Sequence, residues 1–187
     1  MERDDEMFEI VNEGNVVVGQ EYRGIVHRKG LLHRAVYCWV FNKEGLVLLQ
    51  KRSPLKSIGP SQWDLSLAEH LQPGESFREA VIRGLGEELG IYIAGSQEQQ
   101  LVGPITDVHR RELHVGEFHD IELVQSFRLE EFGGQITFED DEVADIKWVK
   151  PESLSALIRA SPGDYTQWLQ GEAAYLNWNM GGAKELE

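Results

Sequence analysis

Gly74-Glu-Ser-Phe-Arg-Glu-Ala-Val-Ile-Arg-Gly-Leu-Gly-Glu-Glu-Leu-Gly-Ile91 is the stretch whose reading decides the fold. Ser76 and Glu79 form an S-x-x-E capping box, and Gly90 stands where a C-cap glycine is expected, so a helix is predicted between them. Phe77, Val81, Leu85 and Leu89 recur every four residues and predict a stripe facing a core. Gly84 and Gly86 lie inside the helix, where each costs roughly 1 kcal/mol relative to alanine. They predict close packing against that face, or close approach by something else. Glu79, Arg83 and Glu87 share a face, with Glu88 about 100° further round and Glu75 just before the helix. Carboxylates held around an arginine suit a Mg²⁺ site for phosphate chemistry. The same spacing also makes an ordinary solvated face of i,i+4 ion pairs, and spacing alone does not choose.

On the N-terminal side, Phe8–Val11 and Val16–Val18 flank Asn12-Glu-Gly-Asn15 and predict a hairpin. A basic, glycine-punctuated stretch from Arg23 to Gly30 leads into a strand over Leu31–Phe41. Asn42–Gly45 turns this back into a strand over Leu46–Lys51. Ser53–Ser61 reads as loop and Trp63–His70 as extended. Beyond the helix, Leu101–Val108, Ile121–Leu129 and Ile146–Val149 read as strands, and Pro151–Ile158 and Tyr165–Trp178 as helices. Strands around a central helix, closed by C-terminal helices, predict a mixed α+β fold. The expected division is an acidic extension over 1–7, one domain over 8–180 and a tail over 181–187.

The chain has 187 residues, with 18 basic against 32 acidic and a net charge of −14. Hydrophobic residues at 41% and charged residues at 27% are an ordinary globular composition. The acidic excess argues against nucleic acid or anionic membrane as a partner, since both are bound through lysine and arginine clusters. Apolar runs such as Ala35–Phe41 are of strand length, far short of a bilayer crossing. One cysteine, Cys38, rules out an intrachain disulfide and fits a reducing compartment, so a cytoplasmic location is expected. Oligomeric state is not legible.

The central stretch resembles the Nudix box, G-x5-E-x7-R-E-U-x-E-E-x-G-U with U apolar. Glu75, Arg83, Leu85, Glu87, Glu88, Gly90 and Ile91 match. Glu69 stands in place of the first glycine, and Gly84 in place of the glutamate after the arginine, which in Nudix hydrolases is a metal ligand. The resemblance runs from about Phe8 to Trp168 and is nearest to the isopentenyl diphosphate isomerase-like branch. Leu32–Asn42, Leu48–Ser53, Trp63 and Tyr165–Trp168 carry it. It implies a Nudix-type mixed β-sheet sandwiched by helices, with the box helix central and the C-terminal helices beside it.

The resemblance also implies a divalent-metal site at His27, His33, His70, Asp120 and Glu122, with Glu87 and Glu88 as metal-binding box carboxylates. Mg²⁺ or Mn²⁺ is the implied cofactor. Imidazole and carboxylate together suit such ions, and Asp120 and Glu122 fall on one face of a strand. His119 is adjacent and confuses the assignment of the strand's inward face. Arg52 and Lys56 match diphosphate-binding positions, and Trp168 an aromatic lining the isoprenoid pocket. A solvated loop and a core tryptophan are the alternative readings of these three. The isomerases carry a cysteine where this chain has Ala68, and a methyl group moves no proton. Cys38, on a different strand, reads as a small buried hydrophobe. Glu139–Glu142 reads as a solvated loop.

Three functions follow. First is hydrolysis of a diphosphate linkage in a small molecule, an isoprenoid or nucleoside diphosphate derivative. Glu122, Asp120 and Glu88 would be its catalytic residues, because Gly84 offers no carboxylate. The alternatives are isopentenyl-diphosphate isomerisation and a binding module without turnover.

Overall fold

A computed structural model of the protein describes residues 4–176. Its elements in order are strands β1 (Met7–Val11) and β2 (Val17–Tyr22), helix α1 (Arg23–Lys29), and strands β3 (His33–Asn42), β4 (Val47–Arg52), β5 (Trp63–Asp64) and β6 (Leu67–His70). Helix α2 (Phe77–Leu89) follows. Then come β7 (Leu101–Val102), β8 (His109–Val115), β9 (Phe118–Phe132), β10 (Val143–Val149), α3 (Pro151–Ala160) and α4 (Gln167–Tyr175).

The main sheet runs β10-β4-β3-β9-β7, with β5 beside β4, β6 beside β3 and β8 beside β9. β3 and β9 are parallel while the other pairs are antiparallel, so the sheet is mixed. β3 is apolar along both faces because both are covered. Val36, Cys38 and Val40 pack with Val81, Leu85 and Leu89 of α2. Ala35, Tyr37 and Trp39 pack with Leu154 of α3 and Leu169 and Ala173 of α4. This is the expected α+β architecture, with helices on both faces of the sheet.

Helix α2 has the expected caps. Ser76 and Glu79 form the reciprocal box, and Gly90 takes the left-handed conformation at φ 63° that favours glycine. Val81, Leu85 and Leu89 are buried and Phe77 packs against their cluster. Gly84 lies against β6: a Cβ there would stand 2.9 Å from Leu67 Cδ1 and 3.3 Å from Glu69 Cβ. Close packing is therefore its role in the fold.

Several boundaries differ. Arg23–Lys29 is a helix that seven residues are too few to announce by periodicity, although its end signals are present. Gly30 is left-handed, and His27, Arg28 and Lys29 occupy the last turn. The expected strand over Leu101–Val108 ends at Val102, and Pro104, which has no N–H to give a ladder, lies just beyond. His109–Val115 forms β8 instead, a strand on the outer side of β9 whose mostly polar side chains hid it. The expected extension stops one residue short, since Met7 opens β1. Residues 1–3, Trp178 and the expected tail over 181–187 lie outside the described residues. No described helix is long and apolar enough to cross a membrane.

Candidate active site

Strand register brings the histidines together. His33 opens β3 beside Glu122 of parallel β9, while antiparallel β6 sets His70 opposite Ala35. Helix α1 adds His27, which is buried. One donor atom from each of His27, His33, His70 and Asp120 lies within 4.8 Å of all the others. Asp120 Oδ1 is 3.3 Å from His33 Nε2 and 3.5 Å from His27 Nε2; Glu122 Oε1 is 3.3 Å from His70 Nε2. All five residues expected at the metal site thus meet, with Glu122 at the edge of the group.

The chemistry of these donors fits a divalent cation. His33 Nδ1 is 2.9 Å from the Leu31 carbonyl, which can only accept, so Nδ1 carries a proton and Nε2 is the nitrogen turned to the cluster. Burial, and then the charge of Arg23, holds His70 well below the ordinary histidine range, which keeps its imidazole neutral as a ligand must be. Nε2 of His33 and of His70 and Oδ1 of Asp120 are buried with no hydrogen-bond partner among the described residues. Polar atoms in that condition are costly unless something binds them. Phe8 of β1 stacks on His33 at 5.3 Å and lies 4.6 Å from the His70 ring, fixing both planes. His119 turns away, its Nδ1 2.7 Å from His114 Nδ1.

The cluster opens into a cavity of about 680 Å³. Glu122 is buried, and Tyr37 donates its hydroxyl to Oε2 at 3.1 Å. Burial, and then the Asp120 carboxylate, pushes the Glu122 carboxyl well above its ordinary range. Glu88 accepts from Gln50 Nε2 at 2.8 Å. Burial, and then the Glu69 carboxylate, raises the Glu88 carboxyl to about 8. In each pair, Glu122 with Asp120 and Glu88 with Glu69, a carboxylate withdrawn from water beside another resists ionising in the absence of a cation.

The box carboxylates divide by role. Arg83 takes Glu75 in a fork at 2.9 and 3.0 Å, Glu87 at 3.0 Å and Glu69 at 3.2 Å, and donates to the His70 carbonyl at 2.8 Å. Glu79 shares no contact with this group, because its carboxylate closes the helix cap. Glu87 is 58% exposed at the cavity rim. Neither Glu87 nor Glu88 belongs to the group of four mutually close donors.

Arg52, Lys56 and Trp168 all line the cavity. Arg52 is held by the Ile58 carbonyl at 3.0 Å and Asp64 at 3.2 Å, and its guanidinium lies 5.0 Å from the Trp168 ring centroid. Lys56 pairs with Glu142. That pairing corrects the solvated reading of Glu139–Glu142 at one residue: Glu139, Asp140 and Asp141 are exposed, but Glu142 is half-buried and reaches the cavity. Sequence reasoning missed Phe8, Arg23, Arg111 and the fully buried Glu172. Glu172 had a signal, since it shares the buried face of α4 with Leu169 and Ala173. The arrangement can hold a cation, bind oxyanions and bring a carboxylate to a water molecule.

Residues 31–169 match the family model described as the NUDIX domain. A protein of Clostridium acetobutylicum named an uncharacterized Nudix hydrolase is 32% identical over 157 residues, which span 75% of this chain and 73% of that protein. An isopentenyl-diphosphate Delta-isomerase of Klebsiella pneumoniae is 33% identical over 143 residues, 76% of this chain and 74% of the isomerase. Among solved structures, DR0079 from Deinococcus radiodurans superposes with a TM-score of 0.67 at 25% identity, covering 91% of this chain and 98% of that one. The box helix, the mixed sheet and these likenesses agree, and the chain belongs to the Nudix family.

Proposed function

We propose that the protein is a divalent-metal-dependent hydrolase that cleaves a diphosphate linkage in a small molecule. The observation that carries this reading is a single cavity lined by His70, Asp120, Glu122 and Glu88 together with the cations Arg52 and Lys56. His27, His33, His70, Asp120 and Glu122 would hold Mn²⁺ or Mg²⁺, with Glu88 and Glu87 offering carboxylates to a second ion. A bound divalent ion neutralises phosphate oxygens and lowers the pKa of water. Arg52 and Lys56 grip the oxygens that remain charged. Glu122, oriented by Tyr37 and assisted by Asp120, accepts the proton as the water oxygen bonds to phosphorus and the bridging oxygen leaves with the other phosphate.

Ala68 supports hydrolysis over isomerisation. It lines the cavity opposite Tyr37 in the β3–β6 register, and its methyl group has no proton to give. The net charge of −14 suits a small metal-complexed anion better than nucleic acid or an anionic membrane. The buried free thiol of Cys38 is in keeping with the reducing cytoplasm.

The test is release of phosphate or monophosphate from a panel of diphosphates with Mg²⁺ or Mn²⁺, for the native protein and Glu88→Gln. Metal-dependent release that falls in the variant is expected; equal release by both sinks the site assignment. Solvent deuterium entering the carbon skeleton of an isoprenoid diphosphate would establish isomerisation instead. Metal-dependent binding without turnover across the panel would leave a binding module.

A further inference from the structure

Besides Arg52 and Arg83, the cavity is lined by a further fixed guanidinium, that of Arg111, which meets the same helix, α4, that carries Trp168. Arg111 stands on β8 opposite Glu122 of β9 and lines the cavity. Its Nη2 donates to Glu172 Oε2 at 2.6 Å, and its guanidinium lies 5.2 Å from the Tyr175 ring centroid. Gly171 lies beside it, where a Cβ would make an ordinary contact at 3.6 Å from Arg111 Nη1.

Glu172 is wholly buried in α4. It also accepts from Ser126 Oγ at 2.6 Å and lies 3.1 Å from His109 Nε2, while His109 stacks on Tyr175 at 4.2 Å. A buried carboxylate is tolerable only when its charge and lone pairs are met, and here three side chains meet them. Trp168, Gly171, Glu172 and Tyr175 follow the i, i+3, i+4, i+7 spacing of one helix face. One end of that face stacks Arg52 and the other holds Arg111. An arginine whose rotamer is already paid for in folding binds an oxyanion with little further ordering cost. A hydrocarbon placed there would strip water from a cation and return no hydrogen bond.

We propose that Arg111, positioned by Glu172, forms an oxyanion subsite beyond the diphosphate-binding residues. The preferred substrate then carries a carboxylate or phosphate on the part remote from the scissile diphosphate, rather than a bare hydrocarbon. This rests on the hydrolase reading above.

The experiment compares three compounds that share a five-carbon chain: pentyl diphosphate, its ω-carboxylate and its ω-phosphate. Each is measured on the Mn²⁺-loaded full chain for kcat and KM, and for Kd by calorimetry. One charge-assisted contact predicts at least about tenfold in kcat/KM, carried by KM, in favour of an ω-oxyanion. The stronger of the two arms identifies the group as carboxylate or phosphate. Arg111→Leu should bring the ratio near one, Arg111→Lys should restore part of it, and Glu172→Gln should shrink it through KM. The double variant Arg111→Leu/Glu172→Leu, which leaves no orphaned buried charge, keeps the test open if the single variant misfolds. Equal or better use of pentyl diphosphate by the native protein overturns the subsite, as does a preference that survives Arg111→Leu. No turnover of any compound defeats the hydrolase reading alone, and the Kd ratios still decide the subsite.

Discussion

Arg83 on the box helix donates Nη2 to the backbone carbonyl of His70 at 2.8 Å, so the helix carboxylates and the histidine cluster share one guanidinium. Its other donors reach Glu75, Glu87 and Glu69. Five donors in a rigid fork fill this role, and a lysine has no equivalent geometry. Arg83→Lys keeps the charge but releases the His70 backbone, and changes to groups that orient metal ligands cost about 10- to 100-fold in affinity. Titration with Mn²⁺ followed by electron paramagnetic resonance should show a fall in that range. Native affinity in Arg83→Lys would mean that the link to His70 does not orient the site.

Gly84 departs from the family pattern for a reason visible in packing. A side chain there would press its Cβ to 2.9 Å from Leu67 Cδ1. Gly84→Glu restores the box pattern and gains roughly 1 kcal/mol of helix propensity. Overpacking against a well-filled face costs about 1–3 kcal/mol. A lower urea midpoint than native is therefore expected, with an unchanged m-value. A midpoint above native would show that β6 yields easily, and would leave Gly84 without a packing explanation.

Legibility followed locality. The box helix declares itself within eighteen consecutive residues, because cap, stripe and stop signal all act over one or two turns. The histidine cluster draws on α1, β3, β6 and β9, and only the parallel β3–β9 register places His33 beside Glu122. Spacing in the chain carries no trace of that register, so the resemblance alone found the set. Arg111 escaped because β8 opens on the consecutive polar run His109-Arg-Arg-Glu112, which also suits an exposed loop. Its importance appears only with Glu172, 61 positions away, beneath it.

The metal-free protein should lose stability as pH rises. Glu88 titrates at about 8 in the fold, against about 4.3 for an unfolded glutamate. Between those values the folded chain holds a proton that the unfolded chain does not, so unfolding free energy falls with pH. The contribution is complete below the unfolded pKa and lost as pH passes about 8; Glu122, also raised, acts in the same direction. In EDTA-treated protein, Tm should drop between about pH 6 and pH 9, and by less in Glu88→Gln. Mn²⁺ should raise Tm more at the higher pH, where binding no longer has to displace the proton. Parallel profiles for the native protein and Glu88→Gln would remove Glu88 as the source.

Phe8 tests whether the N-terminal hairpin belongs to the site or merely covers it. Its ring is 1% exposed and packs on His33 and His70, so it supports two of the proposed metal ligands from outside the 31–169 family match. Phe8→Ala should cost about 3–5 kcal/mol through the cavity it leaves, which would mask any local effect. Phe8→Leu keeps most of the volume but removes the flat face that stacks on the imidazoles. Its stability should therefore stay near native while Mn²⁺ affinity falls about tenfold, the lower range for a lost ligand-orienting contact. If Phe8→Leu loses stability and keeps native Mn²⁺ affinity, the hairpin is packing alone, and the imidazole planes are held by their own hydrogen bonds, beginning with His33 to the Leu31 carbonyl.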